Sequence, residues 1–271
     1  MGRERVLALS GLEYFKELSG LRFRDLTPTI QRGLLRRSIT AIVLLAETTR
    51  PSATVNDVRM ILFRRLNTGG ARLNAQEMRN ALYPGEFKDM LARVARDDKF
   101  CEIWRIPKKT PDENEQKPPD LTRNALYRNM ADCELVLRFF AIKETIESNL
   151  KGSIRHILDK CMERHCNDKP SVVAKAEEQY LHCLHTLYTI FGGKAFVLPT
   201  TERPSRPLYD ALMVALSRQT SINPEARAHW IRQSLVAALT DQKKYDILIG
   251  RGNTVDSIKD RVLLAEQILN G

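Results

Sequence analysis

The apolar residues in the second half of the chain recur at the three- and four-residue spacing of amphipathic helices. In residues 129–146, Leu135, Phe139 and Ile142 fall on one face of such a helix. Similar patterns predict further helices over residues 154–162, 174–191, 208–216, 226–239 and 254–269. This part of the chain is therefore expected to be helical almost throughout.

The beginning of the chain mixes two kinds of pattern. Thr27 and Pro28 form the start signal of a helix over residues 28–36. Residues 39–45 are rich in β-branched side chains, and their number suits a buried strand. The predicted fold class is mainly α, a multi-helix domain with a small β element near the N-terminus.

One segment has the composition of a linker or mobile loop. Residues 106–120 hold four prolines and seven charged residues, and Ile106 is their one aliphatic residue. The sequence therefore predicts a basic segment over residues 1–105, a mobile loop or linker over 106–121, and a helical subdomain over 122–271.

Positive charge is concentrated near the N-terminus. The formal net charge is +10, and residues 1–80 contribute +7 of it through 14 basic and seven acidic residues. Thirteen of those 14 cations are arginine, whose planar guanidinium binds phosphate in a bidentate manner. The excess favours an anionic partner, with DNA or a nucleotide first, although a charged, solvated surface explains the same composition equally well.

Several classes of protein are not expected. The longest apolar run, residues 41–46, is far shorter than the roughly 18 to 20 residues that a membrane-spanning helix requires, so no membrane association is predicted. The first residues lack the apolar core of a secretion signal, and five cysteines are an odd number. We expect a cytoplasmic protein with reduced thiols.

Familiar catalytic motifs do not match the sequence. Gly193 and Lys194 are followed by Ala195, where a phosphate-binding P-loop needs a hydroxyl side chain. The carboxylates of residues 112–115 lie in the predicted loop, which is too mobile to hold a metal for hydrolysis. The sequence thus predicts no catalytic residue and no cofactor.

Cysteine and histidine cluster in one region. Cys161 and His165 would share a helix face at a spacing of four residues, and Cys166, His182, Cys183 and His185 follow. Two such helices could close a zinc site, but no C-x-x-C pair is present. Packing in the helix interior is the favoured interpretation, and no metal is predicted.

The most specific segment runs from Ile61 to Asn80. A predicted helix over residues 54–66 ends at Gly69 and Gly70, and Asn74 with Glu77 forms a capping box that opens the next helix. Arginines at positions 64, 65, 72 and 79 surround the exposed N–H groups at this helix start. The segment is either an anion site or a plain helix-turn-helix joint.

Residues 63–80 resemble the signature F-x-R-L-N-x-G-G-x-x-L-x-x-Q-E-x-R-N of the GmrSD-type restriction endonuclease N-terminal domain family. The similarity extends over residues 9–140, and it implies a role in modification-dependent restriction or phage defence. The family's D-G-Q-Q-R motif, carried by a ParB/sulfiredoxin-like subdomain, and the D-H-x-x-P motif of its HNH-type nuclease domain are both missing from this sequence. We therefore expect the C-terminal helical portion of such a protein, which is not catalytic alone and needs a catalytic subdomain or subunit.

The expected contacts to DNA or nucleotide phosphate follow from this segment. They are Arg64, Arg65, Asn67, Thr68, Arg72, Asn74 and Arg79, with Gly69 and Gly70 permitting close approach of the backbone. The alternative is a stand-alone protein-interaction module, for example an antitoxin-like regulatory partner of a nuclease. An enzyme with an unrecognised site ranks last.

Overall fold

The computed structural model describes residues 8–38, 73–108, 119–148, 152–199, 203–219, 226–250 and 254–270, together with residues 201, 224 and 252. The chain divides into two units, residues 1–55 and residues 56–271.

The described residues of the first unit form one α-helix, α1, and two single-turn 3-10 helices, Lys16–Leu18 and Phe23–Asp25. Helix α1 spans Pro28–Leu35 and begins with the predicted proline. The side-chain amide of Gln31 donates a hydrogen bond of 3.0 Å to the carbonyl oxygen of Leu26, which fixes the helix to the turn before it. Leu26 is 5% exposed and is the one buried residue between positions 8 and 38. So little apolar burial gives this part of the unit only modest stability of its own.

The predicted strand over residues 39–45 lies outside the described residues, as does the predicted helix over 54–66. The described part of the chain contains no strand, and its β contacts are isolated antiparallel bridges such as that of Ala8 with Arg22. The mainly α fold class is confirmed.

The described residues of the second unit form α-helices, with one short 3-10 helix, Gly192–Lys194. The α-helices in these residues are α2 (Ala75–Leu82), α3 (Glu86–Val94), α4 (Asp98–Ile103), α5 (Pro119–Arg123), α6 (Ala125–Arg128), α7 (Ala131–Glu147), α8 (Ile154–His165), α9 (Pro170–Phe191), α10 (Arg206–Ser217), α11 (Ala228–Thr240), α12 (Gln242–Ile249) and α13 (Val255–Asn270). Most of the predicted linker, residues 109–118, lies outside the described residues.

The start of α2 confirms the predicted capping box. Asn74 Oδ1 accepts hydrogen bonds from the backbone N–H groups of Gln76 at 2.9 Å and Glu77 at 3.0 Å. The carboxylate of Glu77 in turn accepts a 2.7 Å bond from the backbone N–H of Asn74. These reciprocal bonds satisfy donors that the first turn of a helix leaves without a partner.

Helix α10 lies at the centre of the core. All of its residues from 208 to 216 are buried, and it packs against α7, α9 and α13. The phenol groups of Tyr180 and Tyr209 are 2.8 Å apart, and Tyr209 also donates to the carbonyl oxygen of Leu135. Residues of α3 and α4 belong to the same core, so the residues before the predicted linker pack with those after it.

A buried ion pair crosses this core. Arg138 on α7 donates from Nε to a carboxylate oxygen of Asp210 on α10 at 3.0 Å, and the Asp210 side chain is completely buried. Because an unpaired buried charge is very unfavourable, this bidentate contact fixes how α7 and α10 pack against each other.

Candidate functional site

Most of the predicted phosphate contacts lie outside the described residues. These are Arg64, Arg65, Asn67, Thr68, Gly69, Gly70 and Arg72. Their roles stay predictions, and the described geometry concerns the two remaining members of the set, Asn74 and Arg79.

Asn74 uses its side chain within the fold. Its amide oxygen caps α2, and its Nδ2 donates a 2.9 Å hydrogen bond to the carbonyl oxygen of Asn129. Both ends of the amide therefore have partners from the protein itself. The side chain links the start of α2 to the segment that precedes α7.

Arg79 is buried between three helices. It is 2% exposed, and its Nε donates to Asp159 of α8 at 2.7 Å. One terminal nitrogen donates to Glu134 of α7 at 3.0 Å and to Gln76 of α2 at 3.1 Å. A phosphate would have to displace these carboxylates, so the surroundings of Arg79 favour a structural role over a phosphate contact.

The arginines of the first unit are placed differently. All five between positions 8 and 38 are exposed, namely Arg22, Arg24, Arg32, Arg36 and Arg37. Arg24 lies 3.6 Å from the carboxylate of Asp25. Arg36 and Arg37 follow the last turn of α1, and neither forms an ion pair with any described residue. Their positive charge is also favourable at the C-terminal end of the helix, which is the negative end of its dipole. The dipole therefore explains part of their position.

Aromatic side chains accompany these arginines. Tyr14 is 88% exposed, Phe15 is 61% exposed, and Phe23 is 43% exposed between two arginines. Exposed rings beside guanidinium groups can stack on nucleic-acid bases while the arginines contact phosphates. The sequence analysis did not name these rings as candidate contacts, although Phe23 stands between two arginines in the run Arg22-Phe23-Arg24.

The structure separates most of the cysteine and histidine cluster. His185 on α9 contacts the carboxylate of Asp97 at 2.9 Å, and the thiol of Cys166 donates to the carbonyl oxygen of Glu163. Cys183 is buried on α9, and burial raises the pKa of its thiol to about 12. These residues do not converge on one point.

Cys161 and His165 do lie together, and Glu144 of α7 joins them. The three ligand atoms all lie within 4.8 Å of one another. The carboxylate of Glu144 raises the pKa of His165, and burial raises that of the Cys161 thiol. Within the part of the chain that the structure describes, this is the set of side chains able to hold a metal.

A cavity of about 600 Å³ lies between α4, α9 and α11. Glu102 on its wall accepts a 2.7 Å hydrogen bond from the phenol of Tyr188, and Arg232 donates to the carbonyl oxygen of Ile190. Both polar groups are therefore engaged by neighbouring groups of the protein.

In the helices that the structure describes, none combines the length and apolar character needed to cross a membrane. No family model, no curated protein and no solved structure matches the chain.

Proposed function

We propose that this protein binds nucleic acid through the arginine-rich first unit and through the glycine turn predicted at residues 67–72, as the helical part of a GmrSD-like restriction or phage-defence system. The catalytic step then belongs to a partner or subdomain that carries the nuclease chemistry. The observation that carries the proposal is the cluster of five exposed arginines with three exposed aromatic rings in residues 8–38.

Electrostatics favour an extended anion over a single small one. Residues 8–38 hold six cations and three carboxylates, and all five arginines are exposed. A polyanion releases counterions for each phosphate that a cation neutralises, so several moderately placed arginines give substantial affinity together. The predicted contacts Arg64, Arg65, Asn67, Thr68, Gly69, Gly70 and Arg72 add further hydrogen-bond donors and positive charge for the same polyanion.

The helical unit serves as the scaffold in this proposal. Two of its arginines, Arg79 and Arg138, are paired inside the fold. They therefore stabilise helix packing and do not form a binding face.

The test is the salt dependence of DNA binding by the full-length chain. Fluorescence anisotropy with a labelled duplex should give an affinity that falls steeply with salt concentration. The double variant Arg36→Gln/Arg37→Gln should lower the slope of log K against log salt by about 2, because each lost phosphate contact removes about 1.

The matched control is Arg123→Gln/Arg155→Gln, which removes two exposed arginines of the helical unit. This variant should bind as the unaltered protein does. If no binding is detected at low salt, or if both double variants weaken binding equally, the proposed surface is wrong.

A protein-interaction module, for example an antitoxin-like regulatory partner of a nuclease, is the second candidate. It is favoured by exposed apolar side chains on α1, since Leu34 is 46% exposed and Leu35 is 74% exposed. Native purification would then yield a complex that high salt does not dissociate. Substituting both leucines by serine should release the partner without changing DNA affinity.

A further inference from the structure

Helices α7 and α8 bring three chemically different ligand groups to one place. Cys161 and His165 lie one turn apart on α8, and Glu144 approaches from α7. The cysteine is completely buried, whereas the side chains of His165 and Glu144 are 27% and 22% exposed. The group thus has a buried thiol at its inner end and an opening to solvent at its outer end.

His165 lies between two carboxylates, Asp168 on its Nδ1 side and Glu144 on its Nε2 side. Nδ1 lies 2.5 Å from a carboxylate oxygen of Asp168, while Nε2 is in direct contact with Glu144. A neutral imidazole carries one N–H, so it can donate to only one of these carboxylates. The other nitrogen would then direct its lone pair at a negative oxygen, unless a second proton or a metal ion lies between them.

The thiol of Cys161 favours the metal ion. A proton shared by His165 and Glu144 involves those two groups alone, whereas a metal ion would also engage the sulfur atom of Cys161, which lies within 4.8 Å of both. A thiolate, an imidazole nitrogen and a carboxylate oxygen together form the mixed ligand set that Zn²⁺ accepts.

The surrounding residues have the arrangement expected around a zinc ligand. A carboxylate such as Asp168 on Nδ1 fixes the tautomer that leaves Nε2 free to bind metal. Arg164 binds the second oxygen of Glu144 at 2.5 Å and so orients that carboxylate. The ring of Phe87 lies 4.8 Å from the imidazole and holds it from the side.

We propose that Glu144, Cys161 and His165 bind one Zn²⁺ ion, whose fourth position faces solvent. Ligand atoms in a tetrahedral zinc site lie about 3.5 Å apart, so side-chain movements of about 1 Å complete the geometry from the positions seen. Three protein ligands with one open position are the pattern of accessible zinc sites. The bound ion joins α7 to α8.

The test uses the full-length chain, freed of metal with a chelator and then titrated with Zn²⁺ by calorimetry and with Co²⁺ by absorption spectroscopy. We expect one ion per chain, a rise in melting temperature, and a thiolate-to-cobalt charge-transfer band. Cys161→Ser should abolish that band. Asp168→Asn should keep the band and weaken zinc affinity about 10- to 100-fold, because it alters only the partner of a ligand.

Cys166→Ser is the matched control, since this partly exposed thiol lies five residues away and outside the ligand set. It should bind zinc as the unaltered chain does. If burial of position 161 prevents Cys161→Ser from folding, Glu144→Gln is the deciding variant. It replaces a partly exposed ligand, and this substitution should weaken zinc affinity at least 10-fold. The proposal is overturned if metal fails to bind stoichiometrically, or if folded Cys161→Ser and Glu144→Gln bind it unchanged.

Discussion

Arg79 illustrates what a single residue's sequence context leaves open. In the sequence it follows the predicted glycine turn and the capping box, where an exposed arginine would meet anions at a helix start. In the fold its guanidinium is buried against Glu134 and Asp159, which lie 55 and 80 residues further along the chain. No local pattern contains those carboxylates, so the sequence could predict the cap at Asn74 but not the ion pairs.

Replacing Arg79 should therefore affect stability strongly. Arg79→Met removes the buried cation that the half-buried carboxylates of Glu134 and Asp159 contact, and we expect the free energy of unfolding to fall by about 3 kcal/mol. Arg93→Met is the control, because Arg93 is 49% exposed where it pairs with Glu177 and should contribute about 0.5 kcal/mol. Urea unfolding followed by circular dichroism measures both, and equal losses would contradict the structural role of Arg79.

The same variant examines whether Arg79 also contacts phosphate. At a temperature where Arg79→Met remains folded, the salt dependence of its DNA binding should match that of the unaltered chain. If the slope of log K against log salt is reduced by about 1, Arg79 does contact phosphate.

At the scale of elements, periodicity predicts the long helices well. Helices α7, α8, α9, α10, α11 and α13 all correspond to predictions from apolar spacing. Helix α9 begins earlier than predicted, at Pro170, because a proline at the first position starts a helix before its apolar pattern is visible. Helix α12 was missed because Leu248 is its one buried residue, which leaves almost no apolar face to detect.

The joint between α2 and α3 depends on a glycine. Gly85 has φ of +144°, and a Cβ atom there would lie 2.3 Å from the carbonyl oxygen of Cys166. Gly85→Ala combines this clash with backbone strain, so we expect a loss of about 2 kcal/mol or more in unfolding free energy.

Gly193→Ala provides the comparison for that joint. Its added Cβ would meet only the end of the flexible Glu102 side chain, at 2.9 Å, and its effect should stay within about 0.5 kcal/mol. Thermal unfolding of the two variants measures the difference in their stability. A Gly85→Ala protein as stable as the Gly193→Ala protein would show that the close approach to Cys166 does not exist in solution.

The candidate metal site also shows where element-level prediction stops. The four-residue spacing of Cys161 and His165 is enough to predict that they share one helix face. Glu144 could not be added from the sequence, because the pairing of α7 with α8 is a tertiary contact. The sequence therefore favoured a packing role for Cys161 and His165. In the fold, Glu144 joins them to form a group of three possible metal ligands.

At the scale of the whole molecule, the apolar core and the excess of positive charge lie in different parts of the sequence. The described core is built from residues 82–269, whereas residues 8–38 expose all of their arginines and bury little more than Leu26. Composition alone could locate the excess charge, because arginine counts need no fold. Tertiary contacts determine which arginines are exposed. Arg138 is paired inside the core and Arg36 is exposed, and composition alone does not distinguish the two.

Arginine modification with phenylglyoxal, mapped by mass spectrometry with and without duplex DNA, tests the proposed binding surface most directly. DNA should protect Arg22, Arg24, Arg36 and Arg37, and high salt should remove that protection. Arg123 and Arg155 should react equally in both samples. Protection of those two arginines instead, with the first unit reacting freely in the presence of bound DNA, would contradict nucleic-acid binding by the first unit.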